Sequence, residues 1–211
     1  MNLKQFDISS RCLNEYESGD EVFDFYNRFL VHCAPTLLSV KPASLYCMKP
    51  ATKHFELWCA QRSQIESAYG IKSFILKETT SQVVVLIYNL KWLERILNSS
   101  KVELFLKELG YNGFEVETSL NQLRTNFIKG CPHELGIFLG YPLEDVKGFM
   151  TSHSECLMCG YWKVYSRPDE ARRIFSLYDQ TKELVKSALV GGVNPHDILK
   201  HHSGLRLKAA V

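Results

Sequence analysis

Residues 83–88, Val-Val-Val-Leu-Ile-Tyr, constrain the fold of this chain more than any other segment. Six consecutive apolar residues, four of them β-branched, fit a central strand covered on both faces, because a half-exposed strand would alternate with polar positions. A partner precedes it. Residues 71–77, IKSFILK, are also rich in strand formers, and only ETTS (78–81) separates them from the run beginning at Gln82. So short a connection predicts an antiparallel hairpin.

The remaining segments supply cover for that strand. Asp20 to Val31 has helical spacing of Val22, Phe23, Tyr26, Phe29 and Leu30, with Ser18 or Asp20 as the cap. It runs into HCAPTL (32–37), where Pro35 predicts a break because it disfavours helical geometry at Ala34. KPASLYCM (41–48) reads as a loop feeding a short strand. Thr52 caps a second helix over 53–68, closed by Gly70. Helical patterns return at 91–97, at 101–109 before Gly110, and at 115–127 before Gly130. Residues 134–139 and 161–165 read as strands, and Pro168 opens a long helix to Leu189, followed by Gly191-Gly192. A short helix follows from Pro195. These elements predict an α+β fold: a roughly five-stranded, mostly antiparallel sheet flanked by several helices, in one globular domain over 1–211. Loose ends are expected over about 1–15 and 195–211.

Composition narrows the function classes. A net charge of +2 is too small to imply a nucleic-acid partner or an anionic membrane surface, and the longest apolar run is far short of a membrane span. The first residues, MNLKQFDISSRCL, lack a secretory signal pattern. A cytoplasmic location is expected, where seven cysteines would remain mostly reduced. The sequence specifies no cofactor and no oligomeric state. A small molecule or another protein is the expected kind of partner.

The chemistry-bearing residues concentrate in CPHELGIFLGYPLEDVKGF (131–149) and, eleven residues on, GYWKVY (160–165). Pro142, Glu144 and Asp145 mark a helix start, where acids suit the positive end of the helix dipole. His133-Glu134 is placed at a strand entrance, and histidine can act there as base, acid or metal ligand. Three chemistries fit these residues. The favoured one is a ligand pocket lined by Tyr141, Trp162, Tyr165 and Tyr161, with Lys41, Lys147 and Lys163 for an anion and Glu134 nearby. Strand alternation would put Trp162 and Val164 on one face and Lys163 on the other, so both Trp162 and Lys163 are not expected in one pocket. A second possibility is a cysteine-dependent acyl transferase or hydrolase: Cys33 as nucleophile, His133 as base, Asp145 or Glu134 as orienting acid. The position of Cys33 at a helix C-terminus opposes this, because it raises a thiol pKa. The third is a metal or redox site of His153, Cys156 and Cys159, with Cys131 or His133 as a fourth ligand.

HCAPTL (32–37), KPASL (41–45), PHELGIFLGYPLEDVKGF (132–149) and GYWKVY (160–165) occur in an order and spacing that resemble the bacterial domain-of-unknown-function family 3793. The resemblance spans about residues 20–180. Its signature covers Cys33, Lys41, His133, Glu134, Tyr141, Asp145, Lys147, Trp162, Lys163 and Tyr165, whereas Cys131 departs from it. The resemblance implies no established activity.

Overall fold

The computed structural model describes residues 19–151 and 155–198. Within them the chain forms, in order, α1 (Glu21–Leu37), β1 (Ala43–Met48), α2 (Lys53–Tyr69), β2 (Lys72–Glu78), β3 (Val83–Tyr88), α3 (Leu90–Leu97), α4 (Ser100–Glu108) and α5 (Val116–Asn126). Then follow α6 (Leu135–Phe138), α7 (Leu143–Thr151), β4 (Met158–Cys159), β5 (Lys163–Val164) and α8 (Pro168–Val190). Single 3-10 turns occupy Phe127–Lys129 and Pro195–Asp197. The segment 1–15, and all of the expected tail beyond residue 198, lie outside the described residues.

The fold is built around β3, which is buried at every position. It pairs antiparallel with β1 on one side and β2 on the other, giving the order β1-β3-β2. Its side chains alternate between two cores. Val83, Val85 and Ile87 join Phe29, Leu30, Cys33 and Trp58 on the face covered by α1, α2 and α8. Val84, Leu86 and Tyr88 join Leu93, Phe105, Leu120 and Phe138 on the face covered by α3 to α7. The unbroken apolar run is thus a strand with a dry layer on each side.

The local signals at element ends act as their chemistry predicts. Asp20 Oδ1 accepts from the N–H groups of Val22 and Phe23 at 2.9 and 3.2 Å, and Thr52 Oγ1 accepts from Phe55 N–H at 3.4 Å. Gly70 terminates α2 in the left-handed conformation.

Three expectations require correction. Pro35 does not break α1, which continues to Leu37. Cys33, Ala34, Pro35 and Leu37 are all buried against the first core, and that burial offsets the roughly 3 kcal/mol cost of an interior proline. Residues 134–139 are not a strand: Leu135–Phe138 form the short helix α6, with Ile137 N–H donating to Glu134 O and Leu139 N–H to Leu135 O. Every residue of 134–139 is buried and only Glu134 at its start is polar, so no repeat of exposed polar positions reveals the period, and a short apolar run fits either structure. Nor is there one five-stranded sheet. The three-stranded sheet stands apart from a two-residue hairpin in which Met158 and Cys159 face Val164 and Lys163.

Candidate functional site

The site is shaped by a corner that joins α6 to α7. Gly136 has no side chain, and a Cβ there would lie 2.8 Å from Val146 and 3.1 Å from Tyr141. Its absence lets α7 and the Tyr141 ring close onto α6. Gly140 turns the chain at φ +79°, and a Cβ at that position would fall 2.2 Å from Pro42. The corner therefore docks directly on the loop between α1 and β1. These two contacts place Tyr141 at the seam, packed against both cores.

Asp145, in the first turn of α7, is 2% exposed and accepts four hydrogen bonds from one distant segment. Its Oδ2 accepts from Trp162 Nε1–H at 2.7 Å. Its Oδ1 accepts from Tyr165 N–H at 2.9 Å, Ser166 N–H at 2.8 Å and the Ser166 hydroxyl at 2.9 Å. A buried carboxylate is tolerated only when its oxygens are satisfied in this way. Asp145 thereby pins 162–166 against α7 and bends it, so only Lys163 and Val164 keep strand geometry.

Between α7 and this pinned segment lies a partly open hollow of about 50 Å³, lined by His133, Gly136, Tyr141, Asp145, Val146, Phe149, Tyr161, Trp162 and Lys163. The Tyr141 and Trp162 rings stack at 4.9 Å, and Phe175 meets Trp162 edge-on at 4.5 Å. The Tyr141 hydroxyl donates to Tyr161 O at 3.2 Å, and burial raises its pKa. His133 stands perpendicular to Phe149 at 5.1 Å, and Lys163 Nζ lies 5.6 Å from the Phe149 ring centre. His133 Nδ1 is shielded from solvent and has no hydrogen-bond partner. Trp162 and Lys163 share the hollow despite being adjacent. Trp162 precedes β5 in a bend, outside the pleat that would have sent the two side chains to opposite faces.

Six of the residues singled out from the sequence thus meet here: His133, Tyr141, Asp145, Tyr161, Trp162 and Lys163. The others lie elsewhere. Glu134 is buried on the side of the second core, where its Oε1 accepts from Asn126 Nδ2 at 2.7 Å and Tyr111 OH at 3.2 Å. Lys147 is exposed, with Nζ 5.3 Å from the Phe105 ring centre. Tyr165 packs its ring against Gly148. Lys41 is buried between the Tyr141 and Tyr178 rings. Cys33 is wholly buried in the first core, and burial raises its thiol pKa far above the ordinary value. It sits inside α1 rather than at the expected helix end. No hydrogen bond among the described residues joins His133 to Asp145 or Glu134, so the nucleophile–base–acid constellation is not assembled in this arrangement. Cys156 is half-buried and Cys159 exposed beside the small hairpin, while His153 lies outside the described residues. Among the described residues no three His, Cys, Asp or Glu side chains converge as metal ligands.

Phe149 and Val146 were not identified as site residues from the sequence, though Phe149, four residues beyond Asp145 on α7, shares its face. Gly136 carried no such signal, since its role is a missing side chain.

The family model of a protein of unknown function, DUF3793, matches residues 29–199. The chain belongs to that family. No curated protein and no solved structure matches it. No helix of the described residues is long and apolar enough to cross a membrane.

Proposed function

We infer that this DUF3793 member is a single-domain small-ligand-binding protein whose site is the hollow between α7 and the 161–163 segment. The observation that carries this reading is His133 Nδ1, a buried polar atom without a partner on the wall of an apolar hollow. An unsatisfied buried nitrogen costs about 1–3 kcal/mol, and a polar group entering beside it would remove that cost. Lys163 supplies a cation on the same wall, and Tyr141, Trp162 and Phe149 supply flat apolar surfaces.

Size limits what can enter. A volume of about 50 Å³ is well below the roughly 300–1,000 Å³ of sites that enclose a whole ligand. A single water needs about 10–15 Å³ of such space, so the hollow has room for a few waters or one small polar head group. A carboxylate head is therefore the group that fits, with the rest of the molecule outside the hollow. Its oxygens would meet Lys163 and the protonated Nδ1 of His133, while its carbon chain or ring would lie against Phe149. Asp145 opposes an anion by charge, but four donors already engage its oxygens.

The reading is tested by titrating ¹⁵N-histidine-labelled protein with a panel of short-chain and aromatic carboxylates while following Trp162 fluorescence. The expected result is a shift of the His133 Nδ1 resonance with saturable fluorescence change, and at least about a tenfold weaker Kd for Lys163→Met. A panel that leaves both His133 and Trp162 signals unchanged overturns it. The cysteine-nucleophile reading has no comparable support, since Cys33 is buried away from the hollow.

A further inference from the structure

Between α4 and α5 the chain crosses residues 111–114, Tyr-Asn-Gly-Phe, without regular structure. Both ends of this crossing are held. Tyr111 is buried, its N–H donates to Leu106 O at 3.0 Å, and its hydroxyl donates to Glu134 Oε1 at 3.2 Å. Gly113 O accepts from the Ser119 hydroxyl at 3.1 Å. Asn112 stands exposed between these anchors. Neither its side chain nor the Gly113 N–H makes a hydrogen bond among the described residues.

That pairing is reactive. An asparagine side-chain carbonyl lies within reach of the next amide nitrogen, and intramolecular attack proceeds at high effective concentration. Two things ordinarily prevent it: a side chain that crowds the nitrogen, and a hydrogen bond that holds it. Gly113 has no side chain, and its N–H is unbonded. The glycine is also fixed by packing, because a Cβ there would fall 2.9 Å from Thr118 Cγ2. The other described asparagines are protected. Asn27, Asn121 and Asn126 lie within α1 and α5, where the following N–H is bonded along the helix or at its C-cap. Asn89 Oδ1 is engaged by Trp92 N–H at 3.2 Å, and Asn194 precedes Pro195, which has no N–H. Asn98 is exposed like Asn112, but the next amide, Ser99 N–H, donates to Ile96 O at 3.2 Å.

We propose that Asn112 and Gly113 form a site of spontaneous covalent modification, in which the asparagine passes through a succinimide to aspartate and isoaspartate. The Gly113 nitrogen gives its proton to hydroxide and attacks Asn112 Cγ. An N–C bond forms, the Cγ–Nδ2 bond breaks, and the side-chain nitrogen takes up a proton and leaves as ammonia. Water then opens the ring. Opening at the side-chain carbonyl gives aspartate, and opening at the main-chain carbonyl gives isoaspartate. One water is consumed and one ammonia released, with no change of oxidation state. Isoaspartate routes the main chain through Cβ and Cγ, so the link between the Tyr111 and Gly113 anchors gains one carbon. It also presents an exposed α-carboxylate, the group an isoaspartate-methylating enzyme takes as substrate. This inference does not depend on the hollow binding anything.

The test ages the full chain, folded, in mildly alkaline ¹⁸O-water and reads each asparagine by peptide mass spectrometry. An isoaspartate-specific methyltransferase with a labelled methyl donor counts the second product. One ¹⁸O is expected at residue 112, entering faster as pH rises because the attacking nitrogen must lose its proton. Conversion at Asn112 is expected to exceed that at Asn98 by at least about tenfold, since Ser99 must first give up its bond to Ile96. Asn112→Gln, a change at an exposed position, is expected to keep the circular dichroism spectrum and lose the methylation signal, because the larger ring closes far more slowly. Conversion only after denaturation in urea, equal conversion at Asn98, or undiminished methylation of Asn112→Gln overturns the proposal.

Discussion

Asp145 and His133 sit on the same hollow and are treated in opposite ways. The carboxylate is met by four donors drawn from Trp162, Tyr165 and Ser166, while the imidazole Nδ1 is met by none. Behind Tyr141, Lys41 repeats the second pattern, a buried charge with two rings against it and, among the described residues, no acid paired with it. Folding selects for satisfied polar groups, because each unsatisfied one subtracts from a total stability of only about 5–15 kcal/mol. The contrast separates a residue that holds the architecture from residues the architecture tolerates at a cost, and such costs cluster where a protein meets something else.

The largest test of this contrast removes the clamp. Asp145→Ala leaves one buried and three part-buried donors without their acceptor and is expected to lower unfolding free energy by roughly 3–5 kcal/mol in urea melts. A loss below 1 kcal/mol would mean that the 162–166 segment is not held by Asp145.

Next in size is Lys41, compared with Lys41→Met. Its folded-state value, about 8, lies below the ordinary 10.5, so between those pH values the unfolded chain binds the extra proton. Stability from this group therefore rises with pH across that window, and below pH 8 the buried cation costs up to roughly 3 kcal/mol. Cys131, whose value is raised by burial, acts oppositely above pH 9 in both proteins and cancels in the difference, while Cys33, whose thiol Lys41 acts on, confines the clean comparison to pH below 9. The gap favouring Lys41→Met at pH 7 is expected to shrink steadily from pH 8 to 9; a constant gap would contradict a neutral Lys41.

A smaller effect follows from Trp162→Phe, which removes the donor to Asp145 Oδ2 while keeping most of the ring. About 2 kcal/mol of destabilisation is expected by thermal or chemical denaturation. The smallest is His133→Phe. Replacing a partnerless nitrogen with carbon is expected to change stability by less than about 1 kcal/mol, in the stabilising direction, while abolishing any carboxylate-induced change at Trp162. Marked destabilisation would show that His133 serves the fold.

The sequence revealed most where a residue's chemistry is local. Asp20, Thr52 and Gly70 act within one turn of their own position, and β3 declares itself through six apolar residues in a row. The errors arose where distant contacts outweigh local preference. Pro35 stays helical because the core around Cys33 and Leu37 holds it, and the helix at Leu135–Phe138 was read as a strand because burial on all sides erases any period. At the site, residue types pointed to His133, Tyr141, Asp145, Trp162 and Lys163, yet the alternation argument separated Trp162 from Lys163. Only the long-range bonds from Asp145 explain why that strand is too short to alternate. Glu134 could not be parted from His133 by inspection either, since its partners Tyr111 and Asn126 are 23 and 8 residues away.

The approach of Gly140 to Pro42 ties the lysine bend and the aromatic wall into one mechanical unit. A single added methyl at position 140 would have to push two segments apart that are a hundred residues distant along the chain. Both Lys41 and Tyr141 would move with it, so one atom's worth of bulk at this hinge of contact would be felt by the amine and the hollow together.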